Sequence, residues 1–65
     1  MSNINQLRQI VRNKLAECDK HITPALHERM QSLEGYRQVE QMVIDYVIAN
    51  DVSVETAISF IEVEL

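Results

Sequence analysis

The sequence contains few of the residues that break helices or cross-link chains: one glycine, one proline, one cysteine and no tryptophan among 65 residues. So little glycine and proline excludes a collagen-like or Pro/Gly-rich chain, and a single cysteine excludes an internal disulfide framework. Apolar residues make up 46% of the chain, a composition typical of a globular protein and not of a disordered one. The length suits one unit, and we expect residues 1–65 to form a single helical domain.

Long hydrophobic runs are also missing. The longest near-apolar stretch extends from Met42 to Ala49 and is interrupted by Asp45, whereas a bilayer span needs roughly 20 apolar residues. The first residues, Met1 to Asn5, carry neither the basic nor the apolar part of a signal peptide. We therefore expect no membrane partner and a cytoplasmic location, in which a lone thiol stays reduced.

Apolar residues at spacings of three and four predict a first helix from about Asn3 to Lys20, with Ser2 or Asn3 as its N-cap. The residues of this apolar stripe are Ile4, Leu7, Val11, Leu15, Cys18 and Ile22. Pro24 suits the first position of a second helix, which we expect to run to about Leu33 with Thr23 as its cap. Gly35 is then placed to end that helix in a left-handed cap. Alternatively, Gly35 lies inside one long helix at a cost of about 1 kcal/mol.

The segment from Tyr36 to Ala49 has the spacing of a third helix. Its apolar face comprises Val39, Met42, Val43, Tyr46 and Val47. Its opposite, polar side comprises Arg37, Glu40, Gln41 and Asp45. A strand is the competing prediction because several of these residues are β-branched, but the segment does not alternate as a strand would. After a turn at Asn50-Asp51, Ser53 is expected to cap a last helix from Val54 to about Glu64.

These elements predict an all-α fold, a compact bundle of three to four short helices around a single small core. Such a core rarely supplies more than about 3–5 kcal/mol. A chain of this size without disulfides therefore gains from association with a partner protein or with a second copy of itself.

Metal and nucleophilic chemistry both depend on the same few residues. Cys18 and His21 share a helical face and His27 follows beyond the proline, but a structural zinc site requires four ligands. Cys18 also lies in the apolar stripe, where a thiolate is disfavoured. No glycine-rich phosphate loop is present. We therefore predict no metal, no cofactor, no catalytic residue and no enzymatic activity.

The net charge of −4 is unevenly distributed along the chain. Residues 1–30 carry five basic and three acidic side chains, a net charge of +2, whereas residues 31–65 carry one basic and seven acidic side chains, a net charge of −6. The two halves can attract each other within one fold or across a head-to-tail pair. Arg8 and Arg12, four residues apart, form a candidate basic face. An acidic chain repels phosphates, so we do not expect nucleic acid as a partner.

A helix-turn-helix is the alternative that bears on function. The helix Val43–Ala49, a short turn and the helix Val54–Glu64 have suitable lengths for this motif. A recognition helix, however, presents basic or amide side chains to the bases. The polar residues of this last helix are Glu55, Thr56, Ser59, Glu62 and Glu64.

The favoured hypothesis is a small non-enzymatic interaction or regulatory protein that acts by docking. The apolar residues beyond one buried face per helix are the candidate partner-binding residues: Ile44, Ile48, Phe60 and Val63. That these four residues complete the internal core is left open as the alternative. A small helix-turn-helix-like DNA-binding regulator is the second functional hypothesis.

Overall fold

A computed structural model describes residues 3–65, and over that range the chain forms four α-helices and no strand: α1 (Ile4–Ala16), α2 (Pro24–Arg29), α3 (Leu33–Asn50) and α4 (Val54–Glu64). The predicted all-α bundle is confirmed. The strand alternative for the third segment is wrong, because its apolar residues follow the helical repeat.

The start of α1 is capped as predicted by Asn3, whose side-chain oxygen accepts hydrogen bonds from the backbone N–H groups of Asn5 and Gln6. The alternative cap, Ser2, lies outside the described residues. α1 ends at Ala16, four residues before the predicted end at Lys20.

The chain leaves the helix early because Asp19 organises a turn of its own. Its carboxylate accepts a hydrogen bond from the backbone of His21 at 2.7 Å, and its carbonyl accepts one from the backbone of Thr23 at 2.7 Å. Such local bonds compete with the helical ladder. Ile22, predicted to extend the buried stripe, therefore lies in the loop and is 77% exposed.

The boundary between α2 and α3 differs from the prediction. α2 ends at Arg29, and Ser32 begins α3 as an N-cap whose side chain accepts a hydrogen bond from the Gly35 backbone at 3.0 Å. Leu33, predicted in the second helix, is instead the first residue of α3 and is exposed. Gly35 lies in the first turn of α3 without a positive φ, so the predicted left-handed cap is wrong.

Gly35 instead allows two helices to approach closely. A Cβ atom at this position would lie 2.0 Å from the carbonyl oxygen of Arg29 at the end of α2. No real Cβ tolerates that distance, so the absence of a side chain is what allows α2 to contact the first turn of α3.

In the turn between α3 and α4, one residue ends α3 and another caps the start of α4. Asp51 ends α3 in the left-handed region, with φ 52°. Ser53 caps α4 as predicted, because its hydroxyl oxygen accepts a hydrogen bond from the Thr56 backbone at 3.1 Å. The predicted last helix, Val54 to Glu64, is confirmed.

Replacing Asp51 with glycine should stabilise the fold. Glycine adopts a positive φ without the steric cost that a Cβ imposes. We expect the free energy of unfolding, measured by urea denaturation, to rise by about 0.5–1 kcal/mol. Asp51→Ala is the matched control and should lower stability, because alanine keeps the Cβ and lacks the local hydrogen-bonding side chain. A glycine variant no more stable than the alanine variant would contradict the left-handed geometry.

The core lies where α1 and α2 pack against the hairpin of α3 and α4. Its buried apolar residues come from all four helices: Val11, Leu15, Leu26, Val39, Val43, Ile44, Ala57, Ile58 and Ile61. Leu65 follows the end of α4 and stays exposed.

Candidate functional site

The candidate basic face on α1 contacts α3. Arg8 donates a hydrogen bond from Nη1 to Glu40 Oε1 at 2.7 Å, and Arg12 donates one from Nε to Glu40 Oε2. Glu40 is only 3% exposed, whereas the two arginine side chains stay partly exposed. Arg8 and Arg12 therefore do not form a free basic surface. Glu40 was predicted on the polar side of its helix, opposite the apolar face, but it is buried.

The electrostatics of this cluster favour the ionised carboxylate. Burial raises the pKa of Glu40, but the hydrogen bonds and positive charges of Arg12 and Arg8 outweigh burial, so the net pKa lies below its ordinary value. The hydrogen bond to Glu40 likewise raises the pKa of Arg12.

The basic first half and the acidic second half of the chain attract each other within one fold. Within residues 3–65 every ion pair joins α1 to the acidic second half: Arg8 and Arg12 bind Glu40 on α3, and Lys14 lies 3.7 Å from Glu55 on α4. The charge difference between the two halves was the sequence signal for this contact. The identity of Glu40 as the buried partner had no local signal.

Glu62, assigned to the polar side of the last helix, has a structural role at a distant helix end. Its two carboxylate oxygens accept hydrogen bonds from the backbone N–H groups of Ala25 at 3.0 Å and Leu26 at 2.9 Å. Thr23, the predicted cap of α2, makes no such bond, and its hydroxyl donates instead to the Asp19 carbonyl at 3.1 Å. The end of α4 thus satisfies the free donors of α2.

Replacing Glu62 with alanine should remove this cap. The loss leaves backbone donors of a partly buried helix end without a partner, and we expect a decrease of about 1–2 kcal/mol in the free energy of unfolding. Glu64→Ala is the matched control, since it removes an exposed carboxylate from the same helix. Equal losses in the two variants, measured by urea denaturation, would argue against the cap.

Two of the four candidate partner-binding residues do not lie with the others. Ile44 is fully buried, because it follows Glu40 by one turn on the side of α3 that α1 covers. It is a core residue and not a docking residue. Ile48 is 60% exposed, but it follows Tyr46 by two residues and so lies about 200° around the helix axis from it.

Phe60 and Val63 lie together on α4, one turn apart. Phe60 stacks on Tyr46 of α3, with ring centroids 4.5 Å apart and an angle of 22° between the rings. Phe60 keeps 44% of its surface exposed and Val63 keeps 82%. Val63 follows the buried Ile61 by two residues, so it points away from the core.

A fourth residue extends this surface along α3. Met42 precedes Tyr46 by one turn and is also exposed. The turn at residues 51–53 reverses the chain, and Leu65 at the end of the chain borders the same groove as Gln38 near the start of α3, so α3 and α4 run antiparallel. Met42 therefore lies on the same side as the last turn of α4. We call Met42, Tyr46, Phe60 and Val63 the outer patch.

The border of the outer patch is acidic. Asp45 follows Met42 by three residues, and Glu64 follows Phe60 by four, so each lies beside the patch on its own helix. Both are exposed, and in the described part of the chain neither forms an ion pair. Arg37, the sole basic residue of the second half, precedes Met42 by five residues and so lies on another face of α3.

The residues weighed for metal or thiol chemistry have other surroundings. Across residues 3–65 the structure groups no three His, Cys, Asp or Glu side chains closely enough to hold a metal ion. Cys18 is half-buried, and its thiol lies 3.5 Å from the Lys14 carbonyl in a bond that closes the end of α1.

The described helices are too short or too polar to cross a lipid bilayer. Comparison of the chain with protein-family models, with curated proteins and with solved structures finds no match.

Proposed function

We propose that this chain is a non-enzymatic docking protein that binds a partner protein through the outer patch. The observation that supports the proposal is the exposure of Phe60 and Val63 next to the stacked ring of Tyr46. Aromatic, Met and aliphatic side chains that share one face and border on charged residues are typical of protein–protein interfaces.

The exposure of these apolar residues fits docking better than a purely structural role. Exposed apolar surface costs roughly 25 cal/mol for each Å² that a partner could cover. Ion pairs, the Glu62 cap and the buried core already stabilise the fold without Val63. Covering the patch by a partner would add stability that a small core lacks.

The DNA-binding alternative has less support. Arg8 and Arg12 are hydrogen-bonded to Glu40, which lowers the net charge of that surface. The exposed side of α4 carries Glu55 and Glu64, which would repel phosphates.

Affinity capture from a lysate of the native host, with and without nuclease, tests the proposal. The tagged wild type is compared with Val63→Asp, which places a charge in the patch, and with Ile22→Asp, which makes the same change at an exposed site in the loop. We expect a protein recovered by the wild type and by Ile22→Asp, lost with Val63→Asp and unaffected by nuclease. Equal recovery by both variants would contradict docking at the patch, and recovery lost with nuclease would favour the DNA-binding alternative.

A further inference from the structure

From the charges around the outer patch we infer the chemistry of its occupant: an amphipathic α-helix of another protein, with basic residues on both sides of its apolar stripe. This inference rests on the docking function proposed above and specifies its partner.

The shape of the patch suits a helix. Met42 and Tyr46 form one row along α3, and Phe60 and Val63 form a second row along α4. Neighbouring packed helices lie about 8–10 Å apart. An incoming helix can place side chains one turn apart along two such rows, the usual form of helix-in-groove binding. The flexible side chain of Met42 can adjust to the apolar residues that it meets.

The border of the patch determines the charge of the partner. Several acidic residues of this half already have internal partners, since Glu40 binds two arginines, Glu55 lies near Lys14 and Glu62 caps α2. Asp45 accepts a hydrogen bond from the neutral Gln41 side chain at 2.9 Å, but neither Asp45 nor Glu64 has an ion pair in the part of the chain that the structure describes. Lysine or arginine beside an apolar stripe would complement these two carboxylates.

A second copy of the same chain fits this surface poorly. A twofold dimer presents the same patch from both chains. The acidic border of one patch would then face the same acidic border on the other chain, with no basic side chain among the described border residues to complement Asp45 and Glu64, and like charges at an interface oppose binding. A basic helix meets the same border with opposite charge.

The test uses the full chain and a synthetic helical peptide of about 18 residues, five helical turns. The peptide is made of leucine and lysine, with leucine at helical spacing on one face, and carries a fluorescent label. An otherwise identical leucine–glutamate peptide is its control. Anisotropy titrations are run at about 50 mM and about 500 mM salt, which spans weak and strong screening.

The variants separate patch binding from simple charge attraction. Val63→Asp and Ile22→Asp each add one negative charge, and both exposed sites should tolerate it, which circular dichroism checks. For the lysine peptide we expect Val63→Asp to weaken binding about tenfold and Ile22→Asp to leave it unchanged or slightly tighter. Met42→Asp, on the other helix of the patch, should weaken binding in the same way.

Besides the absence of any lysine-peptide binding, three outcomes would overturn the inference. One is tighter binding of the lysine peptide by Val63→Asp and Ile22→Asp alike, which indicates charge attraction alone. Another is equal or better binding of the glutamate peptide. The third is a wild-type dimer in sedimentation equilibrium that Val63→Asp dissociates, which would assign the patch to a second copy.

The docking function and the partner chemistry can fail separately. A captured protein that is lost with Val63→Asp, combined with no lysine-peptide binding, would support docking and overturn the basic helix. Patch-dependent peptide binding without any captured protein would support the basic helix as the occupant and contradict the docking function in that host.

Discussion

Replacing Gly35 with alanine should destabilise this protein by about 3 kcal/mol, because the added methyl group has no space. In an ordinary helix interior the same substitution stabilises by about 1 kcal/mol. Here the new Cβ would lie 2.0 Å from the Arg29 carbonyl oxygen and 2.9 Å from Ser32 Oγ. The Ser32 side chain can rotate, but the Arg29 oxygen is backbone, so α2 and α3 would have to separate.

Urea denaturation followed by circular dichroism measures this effect. Ser59→Ala, at an exposed position in α4, is the control for the effect of alanine on an exposed helix and should change stability by less than about 0.5 kcal/mol. A Gly35→Ala variant as stable as the wild type, or more stable, would show that α2 does not contact the first turn of α3 as described. Glu62 on α4 binds the start of α2. Because the Gly35→Ala variant should move α2 away from α3, it should also make unfolding less cooperative at the end of the bundle where α2 meets α4.

Replacing Glu40 with glutamine should have the second-largest effect. Glutamine keeps the shape of the side chain, but it loses the negative charge and one of the two oxygens that accept hydrogen bonds from Arg8 and Arg12. Hydrogen bonds to charged groups contribute about 1.5–3 kcal/mol each when buried. The arginines are partly exposed and can be rehydrated, so we expect a loss of about 2 kcal/mol in the free energy of unfolding at pH 7.

The stability of Glu40→Gln should depend less on pH than that of the wild type. The folded-state pKa of Glu40 lies below its unfolded value, so the stabilisation is fully present above the unfolded pKa, about 4.3. It is lost as the pH falls through the folded pKa, when the carboxylate takes up a proton. The stability difference between wild type and Glu40→Gln should therefore be largest at pH 7 and shrink below about pH 4.

Urea unfolding curves at pH 7 and at a pH below about 4 check this expectation. Glu64→Gln is the control, because it neutralises an exposed carboxylate without an ion pair in the described chain. Its stability should stay close to that of the wild type at both pH values. A constant difference between wild type and Glu40→Gln across the pH range would contradict the ionised Glu40 cluster.

Elements with local signals were predictable from the sequence. The last helix was predicted with its bounds, because Ser53 binds a backbone donor only three residues away and the apolar spacing of α4 is regular. The cap at Asn3 is equally local. The helical repeat placed Phe60 and Val63 off the apolar stripe of α4, and both are exposed. The same reasoning grouped Ile44 with them and left burial in the core open for all of them, so the repeat alone did not determine which of these residues are exposed.

Only the tertiary structure determined the roles of Gly35, Glu40, Glu62 and Ile44. The partners of Glu40 lie 28 and 32 residues away in sequence, and those of Glu62 lie 36 and 37 residues away. Periodicity tells which side of a helix is apolar, but it does not tell which neighbouring helix covers the adjoining side. Because α1 covers the side of α3 that carries Ile44 and Glu40, Ile44 is a core residue and Glu40 is a buried anion. No helix of the described chain covers the outer patch, which lies where α3 meets α4.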